Sequence, residues 1–571
     1  MVISLDIQGA FDHLQYNSIR NSLDEINFPS HTIETLKDIL TDRKVTIQTA
    51  QGPVSWSQQQ GCAQGSCTGP MFWNLVANET ISEEWQPNVL LQAFADDFIF
   101  VISEPTGAKL KATSQAALTK FQHWTDKHQL KVSTEKSTTI LISRLVSGPR
   151  VKWDKQIIKR STSLKYLGVI IDNKLNWADN LINMKTKLTH LHQKITRIAG
   201  TNWGLNKDLR RRLYKTVAER MILHGAAAWA YPLSARQSRL LNSIQRKFLL
   251  NITGAYSTTP TAALQVIEGI LPLHIKAEQE AVYVRTTRLR KTSNYNNINF
   301  NPNNYEDGTT STKFHPAIFQ LEDRISLKKQ FLPVPGLNIF TDGSKIEDKT
   351  GSAFCVMEED TTKYEWMAQL SPFNTVFQAE LLAIKEACLW ASKTNQQIKA
   401  HVGYSGNEAA DVLAKKATQE GIPTFIPAPR NHIKSLLQKE SIIRWQKEWD
   451  NGETGRRVHN VLPKVKTTST PWQRPEIMFV TGHGPFPTYL KRFNIRSSDS
   501  CGCGKLGNPL HYATSCLFTT SYHLTKPSAD LEPLWWKRVM NNNNSRAKIK
   551  KLMHFIAENE PLLFPKDGDD N

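Results

Sequence analysis

Three groups of side chains have the types and spacing to do chemistry. Asp6 lies in SLDIQGAFDHL, inside an apolar, strand-like stretch, and Asp96 and Asp97 lie in LLQAFADDFIFVIS between two apolar runs. Two adjacent acids with strand on either side suit a hairpin turn, and an ordinary Asp-rich turn is one reading of them. The apolar flanks argue for more, because burying like charges is costly unless something neutralises them. Two divalent cations about 4 Å apart would do so, and would clamp the attacking and leaving oxygens of a phosphoryl transfer. Hard carboxylate oxygens suit Mg²⁺ or Mn²⁺.

The second group is Asp342 in IFTDGSK, Glu380 in FQAELLAIKEA, and His401 and Asp411 in HVGYSGNEAADVLAKKA. A strand acid, a helix acid and an acid opening another helix can converge on two metals. Taken singly, Glu380 also reads as an exposed helix carboxylate and Asp342 as a turn residue. The third group is Cys501, Cys503, His511 and Cys516, spaced C-x-C-x7-H-x4-C. Three thiolates and one imidazole fill a four-coordinate structural Zn²⁺ site and leave no position open for water, with unliganded loop thiols as the alternative.

The elements that must position these groups read as an α+β, multidomain chain of 571 residues. Mixed short apolar runs and helical periods cover 1–145. Residues 175–290 read as mostly helical, with apolar spacings of three and four in KTKLTHLHQKITRIAG and DLRRRLYKTVAERMILHGAAAW, and a helical domain is expected over 146–292. Asn, Gly and Thr in 293–312 mark a linker, expected over 293–335. In 336–418, LNIFTDGS, GSAFCVMEED and TKYEWMAQL predict three strands, and FQAELLAIKEACLWASK an amphipathic helix. A helical but soft region is expected over 419–495, a small zinc-binding segment over 496–520, and a loosely ordered tail over 521–571.

Charge is unevenly spread. Residues 1–100 hold 4 Lys/Arg and 12 Asp/Glu, whereas 101–300 hold 33 and 11, a net of +22 against +19 for the whole chain. That basic segment also carries Trp153, Tyr166, Trp177, Trp203 and Tyr214, a composition that suits a polyanion such as nucleic acid, or else a solvated set of helices. No apolar run approaches a membrane span, and MVISLDIQGAFD lacks the features of a secretory signal, so nuclear or cytoplasmic placement is expected.

DIQGAFD, GCAQGSCTGPMFWNL, FADD, LKVSTEKSTTILIS and LKYLGVIIDNKLNW occur in the order of the blocks of reverse transcriptases. They resemble those of non-LTR, LINE-type, Jockey-like retrotransposon polyproteins over about residues 1–290. The resemblance implies a palm followed by a helical thumb or connection. It implies Asp6 and Asp96 as metal ligands, Asp97 as their neighbour in the signature, and Phe11 as the aromatic gate against a ribose 2′-hydroxyl. Gln64 and Gly65 match the substrate-binding turn, and Lys136 a lysine near the palm site, although it also reads as one more surface lysine. Residues 336–418 resemble RNase H, which implies Asp342, Glu380 and Asp411 as metal ligands and His401 as an aid to product release. A Cys/His cluster like that of 501–516 follows the RNase H region in Jockey-like polyproteins.

Two departures from the family bear on activity. The fingers that precede the first catalytic aspartate have no counterpart before Asp6, so the palm is expected to be incomplete and the copy 5′-truncated. RNase H also uses a fourth carboxylate, from a strand between the Glu helix and the His loop. Only 20 residues separate Glu380 from His401, none of them Asp, so this domain is expected to carry an internal deletion. The expected function is therefore an impaired fragment of an RNA-directed DNA polymerase with RNA–DNA hybrid ribonuclease ancestry. Its partners would be an RNA template, a DNA primer and their hybrid. The alternative is a non-catalytic nucleic-acid-binding remnant or an incomplete gene model.

Overall fold

In the computed structural model the described residues are all except 27, 64, 144–147, 201–202, 308–336, 359–360, 395–404 and 565–571. They fall into two compact units, one of them Met1–Asn183 and the other beginning at Met184.

The first unit is built on a five-stranded sheet. Its order is Val89–Phe94, Asp97–Ile102, Val2–Ile7, Val132–Ile140 and Lys159–Arg160, with all pairs antiparallel except the last. Side chains alternate across a strand, so Ile3, Leu5 and Ile7 enter one core while Val2 enters another. The larger core is closed by helices Tyr16–Glu25, Gly69–Ile81 and Gly107–Lys127, which contribute Ile19, Phe72, Trp73, Leu118, Phe121 and Trp124. The smaller core joins Val2, Ile99 and Ile140 to Leu164, Tyr166 and Ile171 of the hairpin Ser163–Tyr166 and Val169–Asp172. Residues 152–172 are thus strands within the span expected to be helical: a separate hairpin, Lys152–Trp153 with Gln156–Ile157, then the edge strand Lys159–Arg160 and the hairpin on the second face. The apolar alternation in SLKYLGVIID is that of a half-buried hairpin, and Leu167 and Gly168 turn it through the left-handed region.

In the second unit, helix Ala235–Thr253 is amphipathic, whereas Thr261–Glu268 and Leu273–Thr287 are buried on most sides. Ser234 and Gln237 form a reciprocal capping box at the start of the first, and Gly254 ends it in the left-handed conformation. The expected linker begins instead with a hairpin, Ser293–Tyr295 paired with Ile298–Phe300. Asn296 and Asn297 both take positive φ, as a two-residue hairpin turn needs. Tyr295, Phe300 and Tyr305 are buried against Val282, Ile433 and Leu437. Aromatics five apart are enough to anchor a segment that is otherwise Asn-rich. The remainder of that expected linker, 308–336, lies outside the described residues.

Strands Asn338–Ile346, Lys349–Glu358 and Thr361–Leu370 form an antiparallel meander, with Ile422–Pro423 parallel at its edge. The central strand is buried on both faces. Ala353 and Cys355 meet Ala410 and Ala414 of helix Ser405–Glu420, while Phe354 and Val356 meet Ala387 and Ala391 of helix Val376–Thr394. Residues 395–404 lie outside the described residues.

The C-terminal third is neither soft nor loose. Helices Arg430–Asp450, Arg474–Thr481 and Asn543–Glu558 bury Trp445, Trp449, Ile477, Phe479, Ile549, Leu552 and Ile556 in one core. Val458, Val461 and Trp472 of the expected soft stretch lie in it, as do Cys501 and Cys516 and the helical residues Ala263, Val266 and Ile275. Asn542 caps the last long helix through Ser545 N–H, so the Asn run is a helix start rather than a tail. No helix among the described residues is long and apolar enough to cross a membrane.

Candidate active site and metal centre

Strand order brings the first carboxylates together. Val2–Ile7 lies beside Asp97–Ile102 with Asp6 directly opposite Asp97. Asp96 sits in the connection between Phe94 and Asp97, which pair across the hairpin, and its carbonyl accepts from Ile7 N–H at 3.4 Å. Ala95, at φ +51°, makes the turn. On its other flank Val2–Ile7 pairs Ser4 with Thr138 but Asp6 with Ser133, so residues 134–137 bulge out beside Asp6. The bulge sets Lys136 Nζ 3.4 Å from Asp6 Oδ2. With its side chain 70% exposed, that lysine is a weak counter-charge, and Asp6 Oδ2 remains buried without a hydrogen-bond partner.

Burial, then the negative charges of Asp96 and Asp6, push the Asp97 carboxyl above the usual carboxylate range, with Lys165 opposing. Tyr166, whose hydroxyl is buried and without a hydrogen-bond partner, is raised by burial and by Asp97. An acidic pair only weakly compensated by exposed lysines, with an oxygen lacking a hydrogen-bond partner, is what a hard cation site looks like from the protein's side. Phe11 packs half-buried on the core, its ring 5.8 Å from that of Trp73. Gly65 takes φ +84° in open space, so backbone conformation rather than lack of room calls for glycine. Gln64 lies outside the described residues.

In the second unit Asp342, on the edge strand Asn338–Ile346, is raised above its ordinary range by burial, and further by Asp411 and Glu380. Asp411 on the helix of one face and Glu380 on the helix of the other therefore act on one carboxyl. Gly343 permits this, since a Cβ there would stand 2.6 Å from Glu380 N. Lys415 ties Asp411 at 2.7 Å. His401 lies outside the described residues.

The thiol group is the most tightly gathered. Sγ atoms of Cys501 and Cys516 are 3.6 Å apart, Cys503 Sγ is 3.2 Å from His511 Nε2, and all four ligand atoms lie within 4.8 Å of one another. Thiolate and imidazole bound to zinc at about 2.3 and 2.0 Å would stand a little under 4 Å apart around a tetrahedron, so the group fits that ion. Among the described residues no other three or more His, Cys, Asp or Glu side chains gather in this way. Burial pushes the Cys516 thiol up to about 12. Burial also raises Cys503, but Lys505 N–H and the neighbouring thiols outweigh it and leave that thiol lowered. Asn508 caps the helix Pro509–Thr514 that presents His511.

With this geometry in place, residues 1–171 match the family of reverse transcriptases, RNA-dependent DNA polymerases. They form a reverse transcriptase domain. It ends within the first compact unit and includes the strands of 152–172, beyond the 145 expected for the palm. The chain is 25% identical over 288 residues to the putative 115 kDa protein in type-1 retrotransposable element R1DM of Drosophila melanogaster, covering 50% of this chain and 28% of that protein. It is 28% identical over 284 residues to the Pol polyprotein of element R1 of Bradysia coprophila, covering 49% and 28%. To the RNA-directed DNA polymerase of mobile element jockey of Drosophila melanogaster it is 22% identical over 268 residues, covering 44% and 28%. The reverse transcriptase domain is thus related to those of LINE-type retrotransposons, and the chain spans 28% of the length of these relatives. Apo telomerase from Candida tropicalis aligns at 13% identity and a TM-score of 0.26, over 49% of this chain and 50% of that one.

Lys165 and Trp73 join the site without having been singled out by sequence, and so does Tyr166, which stood out only as an aromatic of the basic segment. All three lie in recognisable blocks, LKYLG and GPMFWNL, but which side chain of a block turns toward Asp97 depends on strand pleat and helix phase.

Proposed function

We propose that the reverse transcriptase domain joins deoxynucleotides on an RNA template, with Asp6, Asp96 and Asp97 as the acidic centre. The observation that carries this reading is the Asp6–Asp97 pair, opposed across adjacent strands and short of positive charge. These carboxylates would hold Mg²⁺ or Mn²⁺, which when bound supplies the charge neutralisation that attack of a primer 3′-hydroxyl on an α-phosphate and departure of pyrophosphate require. The half-buried Phe11 ring, braced by Trp73, would exclude a ribose 2′-hydroxyl. Lys136, reaching over Asp6 from its bulge, is free to move toward phosphate.

The region 336–418, with the meander and its two helices, is proposed as an RNase H-like unit that recognises hybrid but hydrolyses it poorly. Asp342, Glu380 and Asp411 supply three carboxylates, Lys415 already occupies one of them, and no Asp lies between Glu380 and His401. Cys501, Cys503, His511 and Cys516 would hold structural Zn²⁺.

Primer extension on an RNA template with Mg²⁺ is the test. Extension by the wild-type chain that disappears in Asp96→Asn supports the polymerase reading, and extension that persists in Asp96→Asn overturns it. A second reading, nucleic-acid binding without turnover, is favoured by the net +22 of residues 101–300. It would prevail if tight, salt-sensitive binding of hybrid came with no extension at all.

A further inference from the structure

A cavity of about 640 Å³ in the second unit is lined by none of the acidic or Cys/His residues described above. Four arginines wall it: Arg246, Arg456, Arg457 and Arg492, with Glu453 the one acidic lining residue. Arg246 is fixed by the carbonyls of Ser257 and Thr259, and Arg456 by those of Trp449, Asp450 and Gly452. Main-chain carbonyls orient a guanidinium without cancelling its charge. Arg457 lies against Gly482, which ends the helix Arg474–Thr481 in the left-handed conformation. Arg492 stands over the Phe493 ring at 5.8 Å. None of the four pairs with a carboxylate among the described residues.

His483, in the same wall, senses this field. Burial first, then the charges of Arg492, Arg457 and Arg246, lower its imidazole to about 4. It is therefore neutral at physiological pH, held by Thr258 Oγ1 at 2.8 Å, and the field that disfavours its proton favours an anion. Phe493, 37% exposed at the rim, offers a ring on which a base can stack beside a guanidinium. Fixed cations, a neutral imidazole and an exposed ring in a space larger than one phosphate fit a strand rather than an isolated ion.

We propose that this pocket holds the phosphodiester backbone of a single-stranded nucleic acid. The proposal rests on the reading that the chain handles nucleic acid, and adds a site in which Arg246 of the basic segment 101–300 meets three arginines of 456–492.

The test measures binding of the full chain to a short labelled single-stranded RNA oligonucleotide across a salt series. Arg457→Ala with Arg492→Ala is expected to weaken binding roughly tenfold or more and to flatten the log–log salt slope by about 1.4, two phosphate contacts' worth. Lys537→Ala with Arg538→Ala, which removes the same charge from the helix Glu532–Asn541, should change affinity by less than about twofold. If the pocket pair melts below the wild type, the single charge reversal Arg492→Glu carries the same expectation. Equal effects of pocket and control pairs would overturn the proposal while leaving the proposed function standing. So would displacement of the oligonucleotide by equimolar inorganic triphosphate, which marks a free-anion site, or an equal loss of duplex binding in the pocket pair. No oligonucleotide binding by the wild type would sink the pocket and the proposed function together.

Discussion

The indole N–H of Trp73 donates to the carbonyl of Ala95 at 2.8 Å, from the helix Gly69–Ile81 to the turn that carries Asp96. Trp73 is 1% exposed, and Ala95 is one of few non-glycine residues with positive φ. A core aromatic thus holds the positive-φ residue next to Asp96 and Asp97, the acids of the proposed centre. Trp73→Phe keeps most of the packing but orphans that carbonyl. It should cost about 1–3 kcal/mol in a denaturant titration, and should reduce primer extension more than it reduces hybrid binding. Unchanged stability would show that the bond does not hold the turn.

Asp97 gives a pH prediction with a definite sign. Its carboxyl is raised in the folded protein, by burial and then by Asp96 and Asp6, so ionisation costs more folded than unfolded. Below the ordinary Asp pKa of about 3.9 both states are protonated and nothing is lost. As pH rises from there through the folded value, the folded state loses stability. Asp97→Asn should therefore melt above the wild type at pH 7, with the difference shrinking toward pH 4. Mg²⁺ should narrow the gap at pH 7 by stabilising the wild type alone. Melting curves at several pH values, with and without Mg²⁺, would decide it.

Cys501 and Cys516 are embedded in the same core as Trp445, Phe479, Leu552 and Ile556, the last two carried by the helix Asn543–Glu558. Zinc removal should therefore disturb far more than a peripheral knuckle. Metal analysis is expected to find one Zn²⁺ per chain. A strong chelator, or Cys516→Ser, should lower the melting temperature of the second unit by several degrees and expose Trp445 and Trp449 fluorescence to quenchers. A chain free of zinc with an unaltered melt would refute the site.

For the unit proposed as RNase H-like we expect no cleavage of the RNA strand of a hybrid above background with Mg²⁺ or Mn²⁺. Three carboxylates, one of them tied to Lys415 at 2.7 Å, give too little negative charge to hold two adjacent cations. Robust cleavage that is lost in Asp342→Asn would contradict this.

Tyr295→Ala tests the hairpin found where a linker was expected. The ring is buried, its hydroxyl is 2.7 Å from Ser441 Oγ, and burial pushes the phenol up to about 12. Truncation should destabilise the second unit by about 3–5 kcal/mol, as for other large buried aromatics. A loss under about 1 kcal/mol would mean the segment is dispensable to the core.

By itself the sequence determined the candidate residues for chemistry and many of the local elements that carry them. Asp6, Asp96 and Asp97 stood out because acids between apolar runs demand a counter-charge. Strands through 338–370 and the helix after them were legible because period two and period 3.6 are local properties of a chain. Only the tertiary structure decided which groups meet. That Asp6 faces Asp97, and that Lys136 reaches Asp6 from a bulge, follows from strand order and register, which residue spacing does not encode. That Asn-rich 293–305 and the last helices join cores, and that Arg246, Arg457 and Arg492 surround one cavity, depends on contacts between segments far apart in the chain, whose burial no local composition reveals.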